Sequence, residues 1–135
     1  MARILFGGPQ QEEGAKPERE HQDLVSRLKQ EGHEVDYITK GDDMLELLIP
    51  HPWRNSINYD LVIYDTGLLY GKASPKKRAV LFNKKVIEYL IISSAPVIVL
   101  SEPEISKYIK GPVQKAGFIQ ITQPYNIEDV LKQVR

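Results

Sequence analysis

The sequence predicts an α/β protein in which helices cover both faces of a parallel sheet. Short apolar runs alternate with amphipathic segments along the whole chain, as in consecutive βα units. Two of the runs, 60–64 and 96–100, are almost continuously apolar and rich in β-branched residues, which is typical of parallel strands buried on both faces. The 135 residues are enough for one domain with a substantial core, so we expect a single domain over 1–135.

Each predicted strand is a short apolar run that stops at small or polar residues. In chain order the five runs are 3–6, 34–38, 60–64, 96–100 and 118–122. With right-handed connections, strict alternation of strands and helices predicts a five-stranded parallel sheet of order 2-1-3-4-5. This is the flavodoxin-like arrangement, a three-layer α/β/α sandwich.

The helices are predicted from capping and stop signals as well as from apolar spacing. In the first helix Leu24, Val25 and Leu28 share a face, and Gly32 ends it. Asp42 or Asp43 is the expected N-cap of a short second helix. In order, the helical segments are 17–30, a short second helix, 75–93, 104–116 and 127–135. The short helix carries Met44, Leu45, Leu47 and Leu48, and Pro50 and Pro52 end it.

Capping residues also place the later helices. Ser74 followed by Pro75 resembles an N-cap with proline at the first helical position. Gly117 closes the fourth helix, and Asn126 caps the fifth. Ser101 either caps the fourth helix or serves as a ligand at the end of its strand.

Composition excludes several classes of function. The 18 basic and 18 acidic residues balance, so no net field favours nucleic acid or an anionic membrane. With no cysteine there are no disulfides, thiolate zinc sites or cysteine nucleophiles. The N-terminal apolar run is too short for a signal peptide or a membrane span, so we expect a cytoplasmic protein. The sequence does not decide whether the chain is part of a longer protein.

Asp65 ends the third predicted strand, at the sheet edge where ligands bind in open α/β folds. A carboxylate there can bind a metal, accept a phosphoryl group or cap the following loop through backbone N–H groups. Because the strand order makes strands 1, 3 and 4 neighbours, we expect Gly7-Gly8, Asp65 and Ser101 to line one crevice, with Gln123-Pro124 beside them.

At these positions the chain resembles the receiver domain of two-component response regulators, the CheY-like family. The segment YDLVIYD (59–65) is similar to the family's strand that ends in the phosphoacceptor aspartate, and APVIVLS (95–101) to its strand that ends in Thr or Ser. The stretch from AG (116–117) through QPY (123–125) and NIEDVL (126–131) resembles the end of the family's domain. In the family the bond before the proline is cis, so the resemblance implies a cis Gln123–Pro124 bond.

The resemblance implies a site with Asp65 as phosphoacceptor and Ser101 beside it, but other parts of the family's site are replaced. Gly7 and Gly8 occupy the turn where the family has an acidic pair for a divalent cation, which neutralises the phosphoryl oxygens. Gln123 stands at the position of the family's lysine, and a neutral amide cannot supply the same charge. Carboxylates of the following loop, Glu12 or Glu13, could replace the acidic pair and hold Mg²⁺ together with Asp65.

Two functions follow from the resemblance. The first is an atypical receiver, or pseudo-receiver, that acts through protein contacts and requires no cofactor. The second is a working receiver of a phosphorelay, phosphorylated on Asp65 by a histidine kinase. Either is a signalling domain rather than an enzyme, with a histidine kinase or a downstream signalling protein as partner, and is expected as a monomer or weak homodimer. The family's contact surface would present Lys107, Tyr108, Gln120 and Tyr125 here.

Other signals favour less specific readings. A small nucleotide- or flavin-binding protein that uses Gly7-Gly8 is a third alternative, although the loop matches neither the Walker nor the dinucleotide pattern. The basic residues of the third helix, 76–78 and 84–85, indicate an ordinary charged face. Trp53 either covers the core edge or forms a contact patch. The three histidines, His21, His33 and His51, lack metal-ligand spacing, so we expect no zinc site.

Overall fold

The computed structural model describes residues 2–8, 16–39, 41–48, 59–66, 76–93 and 95–134. Strands and helices alternate along these residues, as predicted. The strands are β1 (Arg3–Gly7), β2 (Glu34–Ile38), β3 (Leu61–Asp65), β4 (Val97–Ser101) and β5 (Ile119–Thr122). The helices are α1 (Lys16–Gln30), α2 (Gly41–Leu48), α3 (Lys76–Ser93), α4 (Pro103–Lys115) and α5 (Ile127–Val134).

The strands form one parallel sheet in the order β2-β1-β3-β4-β5, which confirms the predicted topology. β3 lies at the centre of the sheet, and all five of its residues are buried. Both β3 and β4 run one residue further than predicted, so Asp65 and Ser101 belong to the strands themselves. The direction of each side chain is therefore set by the pleat of the sheet.

Two apolar clusters cover the two faces of the sheet, which gives the three layers expected. On one face α1 and α5 pack on the strands, with Leu24 and Val130 in the same cluster as Ile63. On the other face α2, α3 and α4 pack on the strands, and Ile109 shares a cluster with Val62. Burial of these side chains supplies most of the stabilisation, at roughly 25 cal/mol per Å² of apolar surface.

Alternation along the strands separates two residues that we expected to lie together. Ile63 belongs to the cluster under α1 and α5, and Asp65, two residues later, takes the same face. Val99 belongs to the opposite cluster, and Ser101 follows it by two residues on that face. The predicted single crevice lined by Asp65 and Ser101 is therefore wrong, because the two side chains emerge on opposite faces of the sheet.

The helix ends confirm some of the capping predictions and correct others. Asn126 Oδ1 accepts a hydrogen bond from the backbone N–H of Glu128 at 2.9 Å, which confirms the cap of α5. The stops at Gly32 and Gly117 are also confirmed, because both residues have the positive φ that favours glycine, +91° and +77°. The N-cap of α4 is Glu102, not the predicted Ser101.

In α2 the predicted cap is also wrong. The helix begins at Gly41, so the backbones of Asp42 and Asp43 lie inside its first turn. The predictions for Pro50, Pro52, Trp53, Ser74 and Pro75 concern positions outside the described residues. Within the part of the chain that the structure describes, no helix is both long enough and apolar enough to cross a membrane.

Candidate functional site

Asp65 lies at the carboxyl end of β3 but is not open to solvent. Its residue is 2% exposed, and its Oδ2 atom is 2.5 Å from Nε2 of His21 on α1. His21 is equally buried, with 2% of the residue exposed. A carboxylate at such a distance accepts the hydrogen of the ring nitrogen, and charge-assisted bonds of this kind are among the stronger ones in proteins. The carboxylate expected to accept a phosphoryl group is thus hydrogen-bonded to a histidine of the same chain.

The register of α1 explains why His21 reaches Asp65. Leu24 and Leu28 are fully buried against the sheet, and His21 lies three residues before Leu24 on the same helical face. The ring of Phe6, in β1, meets the imidazole edge-on with 5.2 Å between centroids. The spacing of His21 from the other histidines, which argued against a metal site, does not reveal this role. Its place on the apolar face of the first helix was the signal for a buried histidine that needs a polar partner.

Tyr125 completes the surroundings of the imidazole. Its hydroxyl is 2.6 Å from Nδ1 of His21, and the two rings stack with 5.6 Å between centroids and 15° between planes. If the ring carries one proton, on Nε2, the tyrosine hydroxyl donates to Nδ1 and Nε2–H donates to Asp65. Tyr125 is only 7% exposed, so its predicted place on the contact surface is wrong. The bond before it, Gln123–Pro124, is cis as predicted.

A second polar network lies on the other face of the sheet, beside α3 and α4. The hydroxyl of Tyr64 donates to Oδ1 of Asn83, whose Nδ2 donates to the carbonyl of Thr66 at 3.4 Å. The Thr66 hydroxyl accepts from the backbone N–H of Glu102 at 3.1 Å. All three side chains are fully buried, so these bonds satisfy polar groups that burial would otherwise penalise. They join the ends of β3 and β4 to α3.

Ser101 belongs to this second face and contacts β5. Its hydroxyl accepts from Nε2 of Gln120 at 3.1 Å, and the same amide donates to Oγ of Ser106 at 2.9 Å. Gln120, predicted to lie on the contact surface, is half-buried, and its amide also donates to the carbonyl of Ser106. Gln123, at the position of the family's lysine, donates from Nε2 to the carbonyl of Leu100 at 3.1 Å. These side chains stabilise the neighbouring strand ends.

A side chain at Gly8, at the end of β1, would require Tyr37 to move. A Cβ atom there would lie 2.5 Å from the hydroxyl of Tyr37, whose ring is 5.1 Å from that of Phe6. The backbone N–H of Gly8 donates to Ile38 at 3.0 Å, so the residue continues the pairing of β1 with β2. The predicted alternative ligands, Glu12 and Glu13, lie outside the described residues.

Two residues of the predicted contact surface are exposed on α4. Tyr108 is 40% exposed, and Nζ of Lys107 lies 5.1 Å from the centre of its ring. Ile119, at the start of the edge strand β5, is 37% exposed. On α3 the basic residues Lys84 and Lys85 face solvent. In the described part of the chain, no three residues of the types His, Cys, Asp and Glu are grouped so that they could hold a metal ion.

The sequence matches no model of a known protein family and no curated protein. Its structure, however, is similar to several solved receiver domains. The Francisella response regulator 1452 receiver domain has a TM-score of 0.64 at 17% identity, with 99% of this chain and 93% of that chain covered. The regulatory domain of the repressor of iron transport regulator, in its inactive form, has a TM-score of 0.60 at 20% identity, covering 99% and 92%.

A chemotaxis protein gives the same result. Vibrio cholerae CheY4 has a TM-score of 0.60 at 20% identity, with 99% of this chain and 96% of that chain covered. At these identities the likeness concerns the fold and not the chemistry of the site. The strand order 2-1-3-4-5 and the similarity over nearly the whole chain show that this protein has the CheY-like, flavodoxin-like fold of response regulator receiver domains.

Proposed function

We propose that this chain is an atypical receiver-like signalling domain that acts through protein contacts and does not use Asp65 as a phosphoacceptor. The observation that supports this proposal is the pairing of Asp65 with His21. One of the two carboxylate oxygens of Asp65, Oδ2, receives a hydrogen bond at 2.5 Å from a side chain that is itself buried, and Asp65 is only 2% exposed. A phosphoryl donor would have to displace the imidazole to react with Oδ2.

Two described residues at the neighbouring strand ends, Gln123 and Gly8, also provide no charge to stabilise a phosphoryl group. Transfer to a carboxylate depends on cationic groups placed around the phosphoryl oxygens. Gln123 is neutral, and its amide is bonded to the carbonyl of Leu100. Gly8 has no side chain, and a Cβ atom there would require Tyr37 to move. These features support a role in which contact with a partner carries the signal.

The proposal predicts that the protein resists phosphorylation by a small donor. After incubation with acetyl phosphate and magnesium, intact-mass spectrometry should show the unmodified chain, because the carboxylate of Asp65 is buried and hydrogen-bonded to His21. A receiver with known activity, treated in parallel, shows that the donor is active. A stoichiometric phosphoryl adduct that is lost in Asp65→Asn would contradict the proposal. An adduct that persists in Asp65→Asn would report a different residue and leave Asp65 unphosphorylated, as we expect.

The second candidate is a working receiver in which Asp65 accepts a phosphoryl group, with Mg²⁺ held by Asp65 and Glu12 or Glu13. The observation that favours it is the position of Asp65, at the carboxyl end of the central strand in a receiver fold. The same experiment separates the two candidates. Loss of the adduct in Glu12→Gln/Glu13→Gln would assign the cation site to these two carboxylates.

For the partner contact we propose the exposed part of α4 and the start of β5, with a cytoplasmic signalling protein or a histidine kinase as partner. The described residues that support this surface are Lys107, Tyr108 and Ile119, because all three project apolar or cationic surface into solvent. A partner should bind the wild type and Lys84→Ala/Lys85→Ala equally and lose affinity for Lys107→Ala/Tyr108→Ala. Equal binding to all three proteins would place the contact elsewhere.

A further inference from the structure

We infer that the chain of hydrogen bonds from Asp65 through His21 to Tyr125 is a latch, by which the charge of Asp65 controls the docking of α1 on the sheet. The inference deepens the proposed function, since it names what the carboxylate does when it is not phosphorylated. It rests on three buried polar side chains that come from three separate parts of the fold.

The latch joins elements that are distant in sequence. Asp65 belongs to the central strand, His21 to α1 and Tyr125 to the segment that leads into α5. The two bonds span 44 and 104 residues of the chain. Because the imidazole is bonded on both ring nitrogens, a change at one end alters the partner available at the other. The two hydrogen bonds therefore connect the sheet edge to α1 and to the segment before α5, on one face of the sheet.

A second described polar contact joins α1 to α5 near the C-terminal end of α1. An ion pair between Arg27 and Glu128, at 3.0 Å, joins α1 to α5, but its two side chains are 42% and 52% exposed. Exposed pairs of this kind contribute little. The apolar contacts of Leu24 and Leu28 bury the second half of α1. His21 precedes these leucines in the helix, so the N-terminal part of α1 is the part that the latch would release.

The event that releases the latch is the loss or displacement of the negative charge on Asp65. A neutral side chain at this position binds the Nε2–H group less strongly than a carboxylate does. A cationic group that competes for Oδ2 has the same effect. In either case we expect the N-terminal part of α1 to leave the sheet more often, while α3 and α4, on the opposite face, keep their own network through Asn83 and Thr66.

Hydrogen exchange of the full chain, followed by mass spectrometry, tests the latch. In Asp65→Asn, amides of α1 around His21 should exchange at least about tenfold faster than in the wild type, because the Nε2–H group loses its hydrogen bond to a charged acceptor. Amides of α3 and α4 should change much less. Tyr125→Phe keeps the stacked ring and removes only the hydroxyl, so it should accelerate the same α1 amides.

The matched control is Asp129→Asn, which neutralises an exposed carboxylate on α5 and should leave α1 unchanged. In a His21→Phe background, neither Asp65→Asn nor Tyr125→Phe should add to the exchange of α1. If α1 and α3 accelerate equally, or if α1 does not respond to either variant, the latch is wrong. Should Asp65→Asn fail to fold, the response to Tyr125→Phe alone decides the question. The measurement needs no phosphoryl donor and no partner, so it can fail separately from the proposed function.

Discussion

Replacement of His21 by alanine is expected to lower the free energy of unfolding by about 3 kcal/mol or more, because it leaves a buried carboxylate without its hydrogen-bond donor. The variant removes the imidazole that donates to Oδ2 of Asp65 and leaves the Tyr125 hydroxyl without its ring nitrogen. It also leaves a cavity beside Phe6, which adds to the loss. Urea denaturation at neutral pH, followed by circular dichroism, measures the difference.

His33→Ala is the matched control for this experiment. His33 also accepts a hydrogen bond, from the backbone N–H of Ala2 at 3.0 Å, but it is only half-buried at the start of the sheet. We expect its replacement to cost about 1 kcal/mol, the usual value for one hydrogen bond. If His21→Ala costs no more than His33→Ala, the pairing of His21 with Asp65 does not stabilise the protein in the way that its geometry indicates.

Phe6→Ala is expected to destabilise the protein by about 3–5 kcal/mol, the usual range when a buried aromatic ring is removed. Phe6 is fully buried in the cluster beneath α1 and α5. Its ring contacts both His21 and Tyr37, with 5.2 and 5.1 Å between centroids. Removal of the ring therefore weakens the packing around His21 as well as the apolar cluster. Denaturant unfolding gives the change in free energy.

The comparison for Phe6→Ala is Ile119→Ala, which shortens an apolar side chain that is 37% exposed on the edge strand. This variant should cost less than about 1 kcal/mol, because less apolar surface leaves the interior. Similar losses in the two variants would mean that β5 is packed more tightly, or β1 less tightly, than their burial indicates.

The fold was predictable because its signals are local. Continuous β-branched runs such as 97–100 predict buried parallel strands, and glycines such as Gly32 and Gly117 mark helix ends through their positive φ. The strand order follows from strict alternation and right-handed connections. Errors at the caps, as at Asp42 and Ser101, are shifts of one or two positions, because several polar residues compete for each helix start.

The candidate site was predicted only in part. Asp65 was correctly placed at the end of the third strand from its own neighbours in sequence. Tyr125 was assigned to the surface from the resemblance to receiver domains, but it is only 7% exposed. A side chain is buried when it meets suitable polar partners across the fold, as Tyr125 meets His21 and Gln120 meets Ser101. A family pattern does not specify these partners.

By itself, the sequence determined the layers of this protein, the order of its strands and the place of Asp65 at the sheet edge, because periods of 2 and 3.6 residues express themselves within a few neighbouring positions. Only the tertiary structure decided which side chains contact Asp65. Packing of α1 over the sheet brings His21 to Asp65 across 44 residues and Tyr125 to His21 across 104. The pairing register of β3 with β4 sets Asp65 opposite Leu100 and so puts Ser101 on the other face, and no local pattern records that register.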